Sequence, residues 1–173
     1  MQLPSIDVGL MTEHLATHKG VIHKLRNYYN QVNDPYLKIL IYAQIIIMED
    51  HVKVMLTLLD PSHNQWVQVI PLEQVFQQLN VNQIQPVKEG SDKAITLEVH
   101  STSKLLANDN FTSASMMKND NVKQVHYDMA MQQANFEKLY SDYIKNRNWS
   151  VTTRAGKDEQ LKVISHFQDM FEN

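Results

Sequence analysis

The chain has 173 residues, enough for one domain with a filled core, and its 16 Lys and Arg against 19 Asp and Glu leave a formal charge of −3. That balance argues against nucleic acid or an anionic membrane surface as partner, because such binding rests on clustered cations. With no cysteine and only 4 glycines, disulfides, thiolate metal sites, cysteine nucleophiles and glycine-rich phosphate loops are excluded.

The first residues, Met1 to Asp7, carry neither a basic start nor an apolar stretch, so no signal peptide is expected. The first helix is expected over 11–30. Met11, Leu15, His18, Ile22, Leu25 and Tyr29 alternate spacings of four and three, with Thr12 as N-cap. Gly20 within it suggests a close neighbour, since glycine there costs about 1 kcal/mol relative to alanine. Asn33-Asp34-Pro35 then stops one helix and caps the next, which runs over 34–59 with the seam Leu37, Ile41, Gln44, Met48, His51, Met55 and Leu58. Its apolar run from Ile39 to Met48 is half of the roughly 20 residues a bilayer needs, so it reads as a buried segment and not a membrane span.

Residues 61–90 hold Pro61, Pro71 and Pro86 and one short amphipathic pattern (Leu72, Val75, Phe76, Leu79). They read as a crossover that packs through Trp66 and Phe76. A third helix is expected over 92–117, with Ala94 to Val99 open to a strand by propensity, and a fourth over 121–146, the latter with the seam Val122, Val125, Met129, Gln132, Phe136, Leu139 and Tyr143. Residues 150–173 form a C-terminal extension whose amphipathic segment (Leu161, Ile164, Phe167, Phe171) packs outside the bundle. The fold class is therefore all-α: a single domain over 1–173, two helical hairpins joined by a long crossover, which is the ferritin-like four-helix topology. Leu15, Ile22, Leu25, Leu37, Ile41, Met48, Met55, Leu106, Val125, Met129, Phe136 and Tyr143 are the expected core.

Eight histidines are the feature most open to chemistry. His14 and His18 are four apart on one helix, a spacing that can hold a transition metal, and aligning the hairpin brings Glu49 and His51 to their level. One reading gathers these four around an internal site. The other makes His18 and His51 core histidines bonded to Gln44 or a tyrosine, with Glu49 in water. A di-iron or di-manganese centre needs Glu-x-x-His on two helices, and no helix carries one. The level opposite the first hairpin falls near Asp109 and Met129 to Gln132, which brings neutral groups where carboxylates would be needed. His126-Tyr127-Asp128 reads as a solvated face, and the nine methionines as core filling. There is no G-x-S-x-G elbow, Walker loop or dinucleotide fingerprint.

Ser103-Lys104-Leu105-Leu106, the segment Val122 to Met131, and Tyr140-Ser141-Asp142-Tyr143-Ile144-Lys145-Asn146-Arg147-Asn148-Trp149 resemble the coat F group of Bacillus spore proteins and related ferritin-like families. The first hairpin, with His14, His18, His23 and Asn33-Asp34-Pro35-Tyr36-Leu37-Lys38, is similar to the opening of such proteins. Asn148 stands where those families usually have glycine before the tryptophan. The resemblance implies a structural spore coat protein, made in the mother-cell cytoplasm and deposited in the coat. Its partners would be other coat proteins or a second copy. It implies no catalytic residue and no cofactor. No metal is expected either, His14, His18, Glu49 and His51 being the candidates if one binds. The alternative is a metal-binding oxidase, catalase-type or storage protein on the same bundle.

Overall fold

The computed structural model describes residues 2–79 and 92–171. Among them are six helices and no strand: α1 (Ser5–Gln31), α2 (Pro35–Leu59), α3 (Leu72–Gln78), α4 (Asp92–Met116), α5 (Asp120–Asn146) and α6 (Lys157–Phe171). The all-α expectation holds. The remainder of the crossover expected over 61–90, including Pro86, lies outside the described residues.

α1 begins at Ser5 and not at Thr12. Pro4 precedes its first turn, its carbonyl accepting from the amides of Asp7 and Val8. Thr12 lies inside the helix, its hydroxyl donating to the Val8 carbonyl four residues back (2.8 Å). Of the expected α1 seam, Met11, His18 and Leu25 face inward; Asp7, His14 and Val21 complete the buried face in place of Leu15, Ile22 and Tyr29. Leu15 and Ile22 are half-buried and flank the core, whose other ten expected members are buried. A polar interior sets this face: His14 meets the buried Ser113 hydroxyl, a bond that Leu15 could not make. A side chain on Gly20 would meet nothing within 4 Å, so the expected close neighbour is absent.

Two carboxylates lock the hairpins together. Asp7, fully buried in the first turn of α1, accepts the backbone amides of Lys118 (2.9 Å) and Asn119 (2.8 Å) in the α4–α5 turn. Asp92, in the first turn of α4, accepts those of Asn33 (3.0 Å) and Asp34 (2.9 Å) in the α1–α2 turn. Asp7 and Asp92 are 85 positions apart, as are Asn33 and Lys118, and Asp34 and Asn119. The same offset carries Pro35 at the start of α2 onto Asp120 at the start of α5. Asp34 and Asn119 then cap their helices through their own side chains. The bundle is thus two hairpins repeated in register, each clamping the other's turn. α1 runs antiparallel to α4, and α2 parallel to α4.

The core falls into two apolar parts. One holds Val21, Leu25, Leu37, Ile41, Val99, Leu106, Phe136 and Tyr140. The other is rich in methionine: Met11, Met55, Met117 and Met129 with Val54, Leu58, Val122 and Val125. Between them lies a layer of buried polar side chains from all four long helices. The crossover is bonded to the bundle through Val67 and Asn121 (2.8 and 2.7 Å) and through the Ile70 amide to Asp50 (2.8 Å). Phe76 packs on the core beside Phe136, as expected, whereas Trp66 is 58% exposed and does not pack. α6 forms, yet none of its residues is buried, which corrects the expectation that it packs on the bundle.

α5 is closed off by Asn148, just past its C-cap Arg147, with a left-handed φ of 55°. The amides of Asn148 and Trp149 reach back to the carbonyls of Lys145 and Ile144 (both 3.0 Å), and the Trp149 ring meets Tyr143 edge-on. This is a Schellman closure, which favours glycine at that position and tolerates asparagine.

Candidate functional site

The polar layer is built from the seam positions of four helices. α1 supplies His14 and His18, α2 supplies Gln44 and His51, α4 supplies Ser103, Asn110 and Ser113, and α5 supplies His126, Gln132 and Gln133; all are buried. Buried polar groups are tolerable only when bonded, and most of these are. Gln44 donates to Ser103 Oγ (2.9 Å) and to Gln133 Oε1 (3.0 Å) and accepts from the Tyr140 hydroxyl (2.9 Å). Gln132 donates to the Ile70 carbonyl (2.7 Å), tying the crossover to the layer, and its Oε1 lies 2.6 Å from His51 Nε2.

The four histidines form a row. Ring centroids are 5.1 Å apart for His126 and His14, 6.3 Å for His14 and His18, and 5.4 Å for His18 and His51. One nitrogen of each ring is held by an acceptor. His18 Nδ1 donates to the His14 carbonyl (2.7 Å) and His126 Nδ1 to the Val122 carbonyl (2.8 Å). His51 Nε2 donates to Gln132 Oε1, whose orientation the Ile70 bond fixes. His14 Nε2 sits 3.0 Å from the Ser113 hydroxyl and 3.4 Å from a carboxylate oxygen of Asp109.

Burial holds these rings neutral. Desolvation pushes His18 down to about 4, His51 to about 3 and His126 to about 4, and the neighbouring histidines add to the effect. His14 is lowered by burial as well, against the opposing pull of Asp109 and Glu13.

Of the sequence candidates, the structure brings together His14, His18 and His51 and leaves Glu49 out. Glu49 points outward to Arg26, with Nη2 at 2.6 Å. His18 and His51 are core histidines, though His51 is bonded to Gln132 and not to Gln44 or a tyrosine. His126, read as solvated, is fully buried and belongs to the row. Its flanking Tyr and Asp disguised it, while its spacing from Val122 and Met129 marked the inward face. The expected level opposite the first hairpin is met, with Asp109 beside His14 and Gln132 beside His51. Among the described residues no group of three or more His, Asp or Glu side chains stands already arranged to hold a metal ion. None of their helices is long and apolar enough to cross a membrane.

No family model matches the chain, and no curated protein matches it in sequence. Among solved structures it is similar to the crystal structure of a "putative spore coat protein" from Bacillus halodurans. The TM-score is 0.64 at 16% identity, over 91% of this chain and 97% of that one. At that identity the likeness establishes a shared fold.

Proposed function

We propose that the protein is a non-enzymatic structural component of the bacterial spore coat, built on a ferritin-like bundle and acting by protein–protein packing. Two lines support the coat assignment: the resemblance of its first hairpin and of segments within 103–149 to coat F proteins, and the fold shared with the Bacillus halodurans protein. The packing mechanism is carried by α6. Leu161, Ile164 and Phe167 are each about half exposed and Phe171 more so, on a helix none of whose residues is buried. A contiguous apolar face left in water is a mark of an interaction site. Its occupant is another coat protein or a second copy, met after synthesis in the mother cell.

The donor set argues against a ferritin-like oxidase or storage centre. Two buried iron or manganese ions need several carboxylates. The layer offers neutral imidazole and amide, with Met129 and Gln132 on α5 and Glu49 engaged at the surface. The test is fractionation of sporulating cells carrying this protein and a Leu161→Glu/Phe167→Glu variant. The wild type is expected in the coat fraction and the variant, still folded, in the soluble mother-cell fraction. Absence of the wild type from the coat overturns the coat assignment. Equal incorporation of the variant overturns the role of α6.

A further inference from the structure

The hydrogen bonds of the histidine row leave a surplus of lone pairs. His18 and His126 each spend their one N–H on a backbone carbonyl, and His51 spends its N–H on Gln132. His14 Nε2 faces a carboxylate and a hydroxyl, which places its hydrogen there. The remaining nitrogens are therefore bare: His18 Nε2, His51 Nδ1, His126 Nε2 and His14 Nδ1. The first two confront each other at 3.3 Å with no hydrogen between them. The last two are buried and have no hydrogen-bond partner among the described residues. Exposed lone pairs without donors are costly in a protein interior. A folded layer that accumulates four of them on adjacent rings is short of one electrophile.

The geometry points to a site for a single borderline-soft transition-metal cation of the zinc type, held by His18 and His51 and completed by His14 and His126. Two nitrogens that bind zinc tetrahedrally at about 2.0–2.1 Å are separated by about 3.3 Å, which is the separation of His18 Nε2 and His51 Nδ1. The ring nitrogens facing away from the site bond to backbone carbonyls, an amide and the Ser113 hydroxyl, with the Asp109 carboxylate 3.4 Å from His14 Nε2, supports of the kind that orient metal-binding imidazoles. Since among the described residues no three side chains are already arranged around one point, and His126 lies beside His14 at the far end of the row, uptake requires the His14 and His126 side chains to shift inward and turn their bare nitrogens toward the His18–His51 pair. Asp109, beside His14, and Asp7, whose charge is felt at His126, supply the negative field that a dication needs. Neutral imidazole donors select zinc, nickel, copper or cobalt over iron-type carboxylate chemistry. The inference is independent of the coat assignment.

The test uses untagged full-length protein, stripped with chelator and titrated with Zn²⁺ alone at pH 7.5, with Co²⁺ as the spectroscopic probe. One equivalent is expected to bind at micromolar or tighter Kd and to raise Tm, and Co²⁺ should give the intense visible absorption of tetrahedral nitrogen coordination. His51→Gln and His126→Gln should each weaken binding at least tenfold, while the exposed His23→Gln leaves it unchanged. Should a core variant fail to fold, the wild type decides through Co²⁺: a visible spectrum of octahedral type, or no binding, overturns the site. Binding that survives both His51→Gln and His126→Gln, or that is lost with His23, overturns it equally.

Discussion

The two hairpins share one frame and differ in what they carry into the interior. α1–α2 and α4–α5 coincide at an offset of 85 positions, down to the aspartate in the first turn that clamps the partner's loop and the side chain that caps the second helix. Within that frame the equivalents diverge. His14 corresponds to Val99, His18 to Ser103 and His51 to Phe136, while His126 corresponds to Ile41. The contrast teaches that the frame is held by backbone-directed polar clamps indifferent to core composition, which lets each hairpin bring its own polar residues into the central layer, mostly at positions where the other carries an apolar one.

The largest effect should come from acid, which strikes the unequal part. His18, His51 and His126 have folded values of about 4, 3 and 4 against an ordinary 6.5. The unfolded chain therefore binds more protons between those limits. Their contribution is fully present above pH 6.5 and is lost as pH falls from there toward 4 and below. The unfolding free energy from denaturant titrations should drop steeply over that window, by up to about 1.4 kcal/mol per pH unit for each histidine titrating, and His126→Gln should flatten the slope.

Next come the clamps, the shared part. Asp7→Ala and Asp92→Ala each remove two hydrogen bonds to a carboxylate and orphan two amides, at about 3 kcal/mol or more, or a Tm loss on the order of 10 °C. Equivalence of the two hairpins requires the two losses to agree within about 1 kcal/mol; a loss at one end alone would break the comparison. Smaller gains are expected where the backbone asks for a different residue. Gly20→Ala, facing open space, should stabilise α1 by about 0.5–1 kcal/mol. At the left-handed end of α5, Asn148→Gly should be neutral to stabilising by a few tenths of a kcal/mol, and Asn148→Val destabilising by about 1–2 kcal/mol. The smallest change concerns α6, which buries nothing. Deleting residues 157–173 should leave the denaturant midpoint of the bundle within about 0.5 kcal/mol while altering self-association measured by ultracentrifugation.

Much of this was legible in the chain. Apolar spacing together with Pro35 and the Asp34 cap defined α2, and the seam of α5 from Val122 to Tyr143 gave its inward face, because helical period and capping chemistry are local properties. Tertiary structure alone decided which residues joined Met11, His18 and Leu25 on the inward face of α1. Leu15 and Ile22 made as good a stripe as His14 and Val21, and only the Asp109 and Ser113 side chains, some 95 to 99 residues away in sequence, favoured the histidine. The same holds for Asp7 and Asp92. Each looks like an ordinary first-turn acid until the other hairpin brings two amides to it. His126 was hidden by its neighbours Tyr127 and Asp128, and Glu49 was drawn outward by Arg26. Local sequence sets where helices run, because their hydrogen bonds close within four residues. Which polar groups are buried is set by partners distant in the chain, whose bonds offset the cost of desolvation only once the bundle has assembled.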